Sequence, residues 1–86
     1  MQILIIKPSS LGDVIHALRI AKQIIDNIPD ISIDWVIKSE LKPILEVSGM
    51  VRRSFVYQRT RGIRAYLSLI KQIRLQKYDL VLDLQG

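Results

Sequence analysis

Short apolar runs alternate with amphipathic stretches along this sequence. The first run, residues 3–6 (ILII), is continuous, which is typical of a strand covered on both faces of a parallel sheet. Further strands are predicted at residues 31–37, 51–57 and 79–84, and helices at residues 13–28, 39–48 and 63–77. Such an order needs right-handed crossovers. It predicts a three-layer α/β fold with a parallel sheet in the order β-α-β-α-β-α-β.

The helical stretches carry apolar side chains at i, i+3 and i+4 spacing, which predicts the face of each helix that packs on the sheet. The predicted inner stripe of the first helix is Val14, Ala17, Leu18, Ala21, Ile24, Ile25 and Ile28. For the second helix it is Leu41, Ile44, Leu45 and Val47. For the third helix it is Tyr66, Leu67, Ile70 and Ile73.

Composition narrows the classes of function. With 86 residues the chain forms one small domain, predicted to be a piece of a longer protein because the last strand lacks a covering helix. The net charge of +5 favours anionic partners, although a solvated basic surface explains it equally well. No cysteine and a single histidine argue against disulfides and zinc. No signal peptide or spanning segment is recognisable, which predicts a cytoplasmic location.

The turn after the first strand, residues 7–13 (KPSSLGD), is the strongest candidate site. In open α/β sheets, ligands bind in a crevice at the carboxyl ends of the strands. Ser10 and Asp13 have the spacing of a capping box, so a purely structural role for Asp13 is one reading. The other is a general base, because a carboxylate at a helix N-terminus is held rigid and faces the crevice.

The same turn offers anion-binding groups. Ser9, Ser10 and the backbone N–H groups of Leu11 and Gly12 could cradle a phosphate or carboxylate. Neither a dinucleotide-binding fingerprint nor a Walker A loop is present, and a nearby carboxylate would repel an anion. Gly12 is expected to let the backbone turn sharply before the helix.

Further polar residues flank the predicted crevice. Lys7, His16, Asp83 and Gln85 come from the first strand, the first helix and the end of the last strand. His16 also suits an exposed position on the helix surface, and Asp83 could cap a following helix.

Arginines form a second group. Arg59, Arg61 and Arg64 surround Gly62 at the start of the third helix, where the helix dipole disfavours cations. An anion bound between them, or a solvated loop, would explain the cluster. Arg52 and Arg53 are expected to be surface charges at the edge of a strand.

Three segments resemble the bacterial heptosyltransferases of glycosyltransferase family nine. Residues 3–19 (ILIIKPSSLGDVIHALR) resemble the family's amino-terminal signature of a strand, Lys, two small hydroxylated residues and Gly-Asp. Residues 34–36 (DWV) resemble the second strand of the enzyme that adds the first heptose, and residues 78–86 (YDLVLDLQG) resemble a later motif. The resemblance spans nearly the whole chain. One departure is Arg19, where the family usually has proline.

The resemblance implies the amino-terminal, Rossmann-like half of a GT-B enzyme. Such enzymes are inverting, metal-independent and without a cofactor, and they move heptose from ADP-heptose to Kdo-lipid A at the cytoplasmic face of the inner membrane. The residue matching Asp13 is the family's base. The acidic acceptor is expected to be bound by the region of Arg59, Arg61 and Arg64 and by Ser9, Ser10 and Gly12 of the first turn.

Two readings outside the transferase class stay open at this point. The donor domain is expected to lie outside these 86 residues, so the chain alone is expected to be inactive, and an inert fragment is one alternative. The other is a non-catalytic basic module for phosphorylated ligands or nucleic acid. Nucleic acid is not expected, because aromatic residues do not alternate with basic ones as in single-strand binders.

Overall fold

A computed structural model describes residues 1–57 and 62–84 of the chain. It contains the predicted strands and helices in the predicted order. The strands are β1 Gln2–Ile6, β2 Ser32–Lys38, β3 Arg53–Tyr57 and β4 Leu80–Asp83. The helices are α1 Leu11–Asn27, α2 Lys42–Ser48 and α3 Gly62–Arg74, and a single 3₁₀ turn, Ser39–Leu41, leads into α2. Gly49 ends α2 with a positive φ of 68°, which is the left-handed conformation that glycine adopts most readily.

The four strands form one parallel sheet in the order β3-β2-β1-β4. Register pairs Ile5 of β1 with Trp35 of β2 on one side and with Leu82 of β4 on the other. The chain moves outward in one direction through β2 and β3, then crosses back to place β4 beside β1. Right-handed crossovers therefore place α1 and α2 on one face of the sheet and α3 on the other.

Two apolar clusters lie on the two faces of the sheet. The larger joins α1 and α2 to the sheet, and its fully buried side chains include Val14, Trp35 and Leu45. The smaller contains Phe55 and Leu69, which bring α3 against the other face. The continuous apolar runs are explained by this arrangement, because successive residues of β1 and β2 serve opposite clusters. The predicted three-layer α/β class is confirmed.

The structure corrects several local predictions. Helix α1 begins at Leu11, two residues earlier than predicted, so Gly12 lies within its first turn. The expectation that Gly12 turns the backbone sharply before the helix was therefore wrong, and a Cβ at this position would meet nothing within 4 Å. Val47 and Leu67, both predicted to face the core, are 88% and 57% exposed. Ile73 of the stripe predicted for α3 packs in the smaller cluster, together with Leu69, which was not predicted to face the core. Ile28, also predicted to face the core, lies beyond the end of α1 and is 38% exposed.

Candidate functional site

The strand order reverses direction at β1, whose neighbours are β2 on one side and β4 on the other. At such a switch point the connections leave toward opposite faces, which opens a crevice at the carboxyl ends of the strands. The turn after β1 and the end of β4 border this crevice, as the register of Ile6 with Asp83 shows. The candidate site from the sequence, residues 7–13, therefore lies at the place where this fold offers a ligand site.

The turn is anchored by its neighbours on both sides. The Trp35 indole N–H donates a hydrogen bond of 3.0 Å to the Lys7 carbonyl, and the Lys38 amide donates one of 3.1 Å to the Pro8 carbonyl. On the β4 side, the Leu84 amide donates to the Ile6 carbonyl at 3.0 Å. Hydrogen bonds from both β2 and the end of β4 therefore fix the backbone of this turn, and with it the positions from which its side chains project.

Asp13 lies in the first turn of α1 and its side chain is 64% exposed. Ser10 is the N-cap residue, but its side chain makes no hydrogen bond to the helix backbone. Its hydroxyl instead donates to the Asp13 carboxylate at 3.1 Å. Ser10 is the N-cap residue, as the capping-box spacing predicted. The expected hydrogen bonds from the box side chains to the helix backbone are replaced by one between the two side chains. The Asp13 carboxylate is open to an incoming hydroxyl.

Lys7 brings a cation into the crevice. Its side chain is only 15% exposed, and its ammonium group donates a 2.9 Å hydrogen bond to the Leu84 carbonyl. The same nitrogen lies 4.0 Å from Oδ2 of Asp13. Lys7 thus links the end of β4 to the carboxylate at the start of α1, and it provides a positive charge beside any anion bound there.

The other predicted site residues are spread over the turn, α1, the end of β4 and α3, or they lie outside the described residues. His16 is exposed on α1, Ser9 is half-buried in the turn and Asp83 is exposed at the end of β4. Arg64 is exposed in the first turn of α3. Helix α3 follows β3 in the chain, and β3 lies two strands, roughly 10 Å, from β1 in the sheet. Arg59, Arg61 and Gln85 lie outside the described residues.

A buried ionic cluster was missed by the sequence analysis. Asp34, in β2, has no exposed surface. Arg52 holds it through two hydrogen bonds, from Nε at 3.0 Å and from Nη2 at 2.8 Å, and the Tyr78 hydroxyl donates a third at 2.6 Å. Arg52 and Arg53 are both exposed, as predicted, but the sequence analysis did not predict that Arg52 pairs with a buried carboxylate.

The electrostatics of this cluster follow from burial and bonding. Burial raises the pKa of Asp34, but the hydrogen bonds from Arg52 and Tyr78 and the nearby positive charges outweigh it, so the pKa lies below 3.8. Burial and the bond to Asp34 raise the pKa of Tyr78, so its hydroxyl stays protonated. The cluster ties β2 to the segments that precede β3 and β4. It lies toward the amino ends of the strands, away from the crevice.

Neither a cluster of metal ligands nor a membrane-spanning helix is found in the described part of the chain. Among residues 1–57 and 62–84, no group of three or more His, Cys, Asp and Glu side chains could hold a metal ion. Within the same residues, no helix combines the length and the apolar character needed to cross a bilayer.

The fold and the switch-point crevice define a Rossmann-like α/β domain. Comparison with known proteins makes this more specific. The chain is 30% identical over its full length to lipopolysaccharide heptosyltransferase 1 of Escherichia coli K12, and 33% identical to that of Pseudomonas aeruginosa. It covers 30% and 27% of their lengths, so it spans less than a third of these relatives. No protein-family profile matches the chain.

Solved structures agree with the sequence matches. All of the chain superposes on part of the E. coli heptosyltransferase WaaC with ADP, with a TM-score of 0.87, 32% identity and 28% of that chain covered. The complex of WaaC with ADP-2-deoxy-2-fluoro heptose gives a TM-score of 0.85 at 27% identity. The resemblance predicted from the sequence is confirmed: over its full length the chain is similar to the amino-terminal domain of the lipopolysaccharide heptosyltransferases.

Proposed function

We propose that this chain is the acceptor-binding domain of an inverting heptosyltransferase of lipopolysaccharide biosynthesis. The observation that carries the proposal is the exposed Asp13 carboxylate at the switch-point crevice, on a turn anchored from β2 and β4. The relatives that match over the whole chain carry the same activity in their names. We propose ADP-heptose as donor and Kdo-lipid A as acceptor, at the cytoplasmic face of the inner membrane.

The proposed reaction is a displacement at the anomeric carbon of heptose. The acceptor hydroxyl oxygen forms the new bond to that carbon as the bond to the ADP phosphate breaks, and ADP leaves. Asp13 accepts the hydroxyl proton. A carboxylate is a weak base, so it takes the proton as the new bond forms rather than before.

The remaining residues of the crevice would hold the acceptor. Its phosphate and carboxylate groups are anionic. Lys7 provides a cation 4.0 Å from the Asp13 carboxylate, and we propose the exposed Arg64 of α3 as a second cation for the acceptor. Arg59 and Arg61, between β3 and α3 in the sequence, belong to the same proposal. Ser9, Ser10 and Gly12 border the base, where open space around Gly12 leaves room for close approach.

The donor is proposed to bind polypeptide outside this chain, because the relatives are more than three times as long. Sugar transfer would then need the longer protein, and the 86 residues alone would be inactive. The ADP complexes of WaaC agree with a nucleotide-sugar donor for that relative.

The test is the substitution Asp13→Ala in the longer protein that carries this domain. Turnover of ADP-heptose with Kdo-lipid A should fall by about 10²- to 10⁴-fold, the range for loss of a general base. Asp26→Ala is the matched control, since Asp26 is an exposed carboxylate on the same helix. It should retain turnover within about 2-fold. Equal turnover in the two variants would leave Asp13 with a structural role alone.

A further inference from the structure

The two carboxylate oxygens of Asp13 have different surroundings. Oδ2 accepts the 3.1 Å hydrogen bond from the Ser10 hydroxyl, and the same oxygen lies 4.0 Å from the ammonium nitrogen of Lys7. In the described part of the chain, Oδ1 has no hydrogen-bond donor. The protein therefore holds one oxygen of this carboxylate and leaves the other for a ligand.

This bonding is not the one that a helix cap uses. In a capping box the N-cap hydroxyl accepts a hydrogen bond from the amide of the third helical residue, whose carboxylate accepts one from the N-cap amide. Neither bond forms among residues 1–57 and 62–84, because Ser10 and Asp13 bond to each other instead. The pair thus fixes the direction of the carboxylate and leaves the helix end without side-chain caps.

We infer that Ser10 is a positioning residue that holds Oδ2 of Asp13, with Lys7 beside it, so that Oδ1 receives the proton of the acceptor hydroxyl. The inference rests on the proposed function, in which Asp13 is the base. A base must lie within hydrogen-bond reach of the proton that it takes, and small errors in its position cost much of the rate. A carboxylate held through one oxygen presents the other in a constant direction.

The Ser10 hydroxyl can serve only one partner as a donor. A serine hydroxyl carries a single proton, and that of Ser10 is donated to Asp13. It is therefore not available for a phosphate or carboxylate of the acceptor. This distinguishes Ser10 from Ser9, and it replaces the anion-cradling role that the sequence suggested for Ser10 with a role that acts through Asp13.

Lys7 favours the same oxygen by charge. Its side chain is 15% exposed and its ammonium group is tied to the Leu84 carbonyl at 2.9 Å, so the charge has a defined position. A separation of 4.0 Å from Oδ2 is too long for a hydrogen bond, but it is short enough for Coulomb attraction. Ser10 provides the directional bond, and Lys7 draws the held oxygen toward the end of β4.

Steady-state kinetics of Ser10→Ala in the longer protein that carries this domain test the inference. The value of kcat should fall by about 10-fold, because the base loses its fixed direction. The KM for the acceptor should stay within about 2-fold, because Ser10 does not hold the acceptor. Ser10→Thr keeps the hydroxyl and should retain kcat within about 3-fold. Ser68→Ala removes an exposed hydroxyl on α3 and should retain both constants within about 2-fold.

A second background separates positioning from direct contact. Adding Ser10→Ala to Asp13→Ala should change turnover by less than about 2-fold, because a positioning residue acts only through the carboxylate that is already absent. A residue that touched the acceptor would instead lower its binding in both backgrounds.

The orientation of Asp13 can also be measured without sugar transfer. In the 86-residue chain, three-bond NMR couplings to the Asp13 β-protons should indicate one χ1 rotamer, and they should become averaged in Ser10→Ala. The couplings of Asp26, which pairs with Lys22 at 3.0 Å, should be the same in both chains. Because Ser10→Ala removes no side-chain bond to the helix backbone, urea unfolding should have the same midpoint as in the parent chain.

Three results would overturn the inference. The first is a raised acceptor KM at unchanged kcat in Ser10→Ala, which would make Ser10 an acceptor contact. The second is a further loss of about 10-fold or more when Ser10→Ala is added to Asp13→Ala. The third is an Asp13 side chain that is already averaged among rotamers in the parent chain.

These outcomes are distinct from failure of the proposed function. Full turnover in Asp13→Ala would contradict the proposed function itself. A large loss in Asp13→Ala together with full turnover in Ser10→Ala would contradict only the positioning role of Ser10.

Discussion

Asp13 and Asp34 show how one residue type serves two opposite purposes in one small domain. Asp34 has no exposed surface and accepts three hydrogen bonds, two from Arg52 and one from Tyr78. Asp13 is 64% exposed and accepts one hydrogen bond, from Ser10, within the described residues. A carboxylate whose bonding capacity is filled stabilises the fold, and one that remains open can accept a proton from a ligand. The difference lies in what surrounds each carboxylate.

The largest expected effect comes from breaking the pair at Asp34. In Arg52→Met the buried carboxylate loses its counter-charge, and the free energy of unfolding should fall by about 3 kcal/mol. This is the lower end of the range for a broken buried pair, because the Arg52 side chain is 38% exposed and water can reach the site. Urea unfolding followed by Trp35 emission measures it. Arg53→Met, the exposed neighbour, should change stability by less than about 1 kcal/mol.

The Tyr78 hydroxyl should contribute less than the arginine. Tyr78→Phe removes the 2.6 Å hydrogen bond to Asp34 and keeps the ring, so the free energy of unfolding should fall by about 2 kcal/mol. Tyr57→Phe is the control, because Tyr57 packs in the same apolar cluster and its hydroxyl has no hydrogen bond within residues 1–57 and 62–84. Similar losses in both variants would argue against a special role for the bond to Asp34.

The pH dependence of stability should reflect Asp34. Its pKa lies below 3.8 in the folded protein, so the folded state favours the ionised form more than the unfolded state does. The stability from this group is therefore present above about pH 4 and is lost as the pH falls through the folded pKa. The loss is at most about 1.4 kcal/mol per pH unit. Carbon-detected titration of the Asp34 carboxyl should give a midpoint below 3.8, and a midpoint above it would contradict the bonding scheme.

The smallest expected effect on stability is at Asp13. Asp13→Asn should lower the free energy of unfolding by less than about 1 kcal/mol, the contribution of a carboxylate at a helix N-terminus. The proposed function also predicts that the same change reduces sugar transfer, because an amide cannot accept the proton. Thermal unfolding of the chain and a turnover assay together measure the two effects. A large loss of stability would show that Asp13 is a structural residue like Asp34.

The order of elements and the fold class could be predicted from the sequence. Continuous apolar runs separated by helical stretches allow few arrangements other than a parallel sheet. The turn after the first strand was also predicted, although residues 11–13 belong to α1. The face of each helix that packs on the sheet was predicted less accurately. The buried face of the first helix was predicted apart from Ile28, which lies beyond its end and is 38% exposed. In α3, only the packing against the sheet distinguishes the buried Leu69 from the exposed Leu67.

The candidate site likewise has features that follow from the sequence and others that depend on the tertiary structure. The sequence by itself determined that Asp13 stands at the start of a helix after a buried strand, because local spacing fixes both elements. It did not determine that Lys7 reaches the end of β4, or that Asp34 meets Arg52 and Tyr78, since these partners are 77, 18 and 44 residues apart. Only the tertiary structure decided them. Strand order is set by how the layers pack, and it is strand order that brings distant charged groups together.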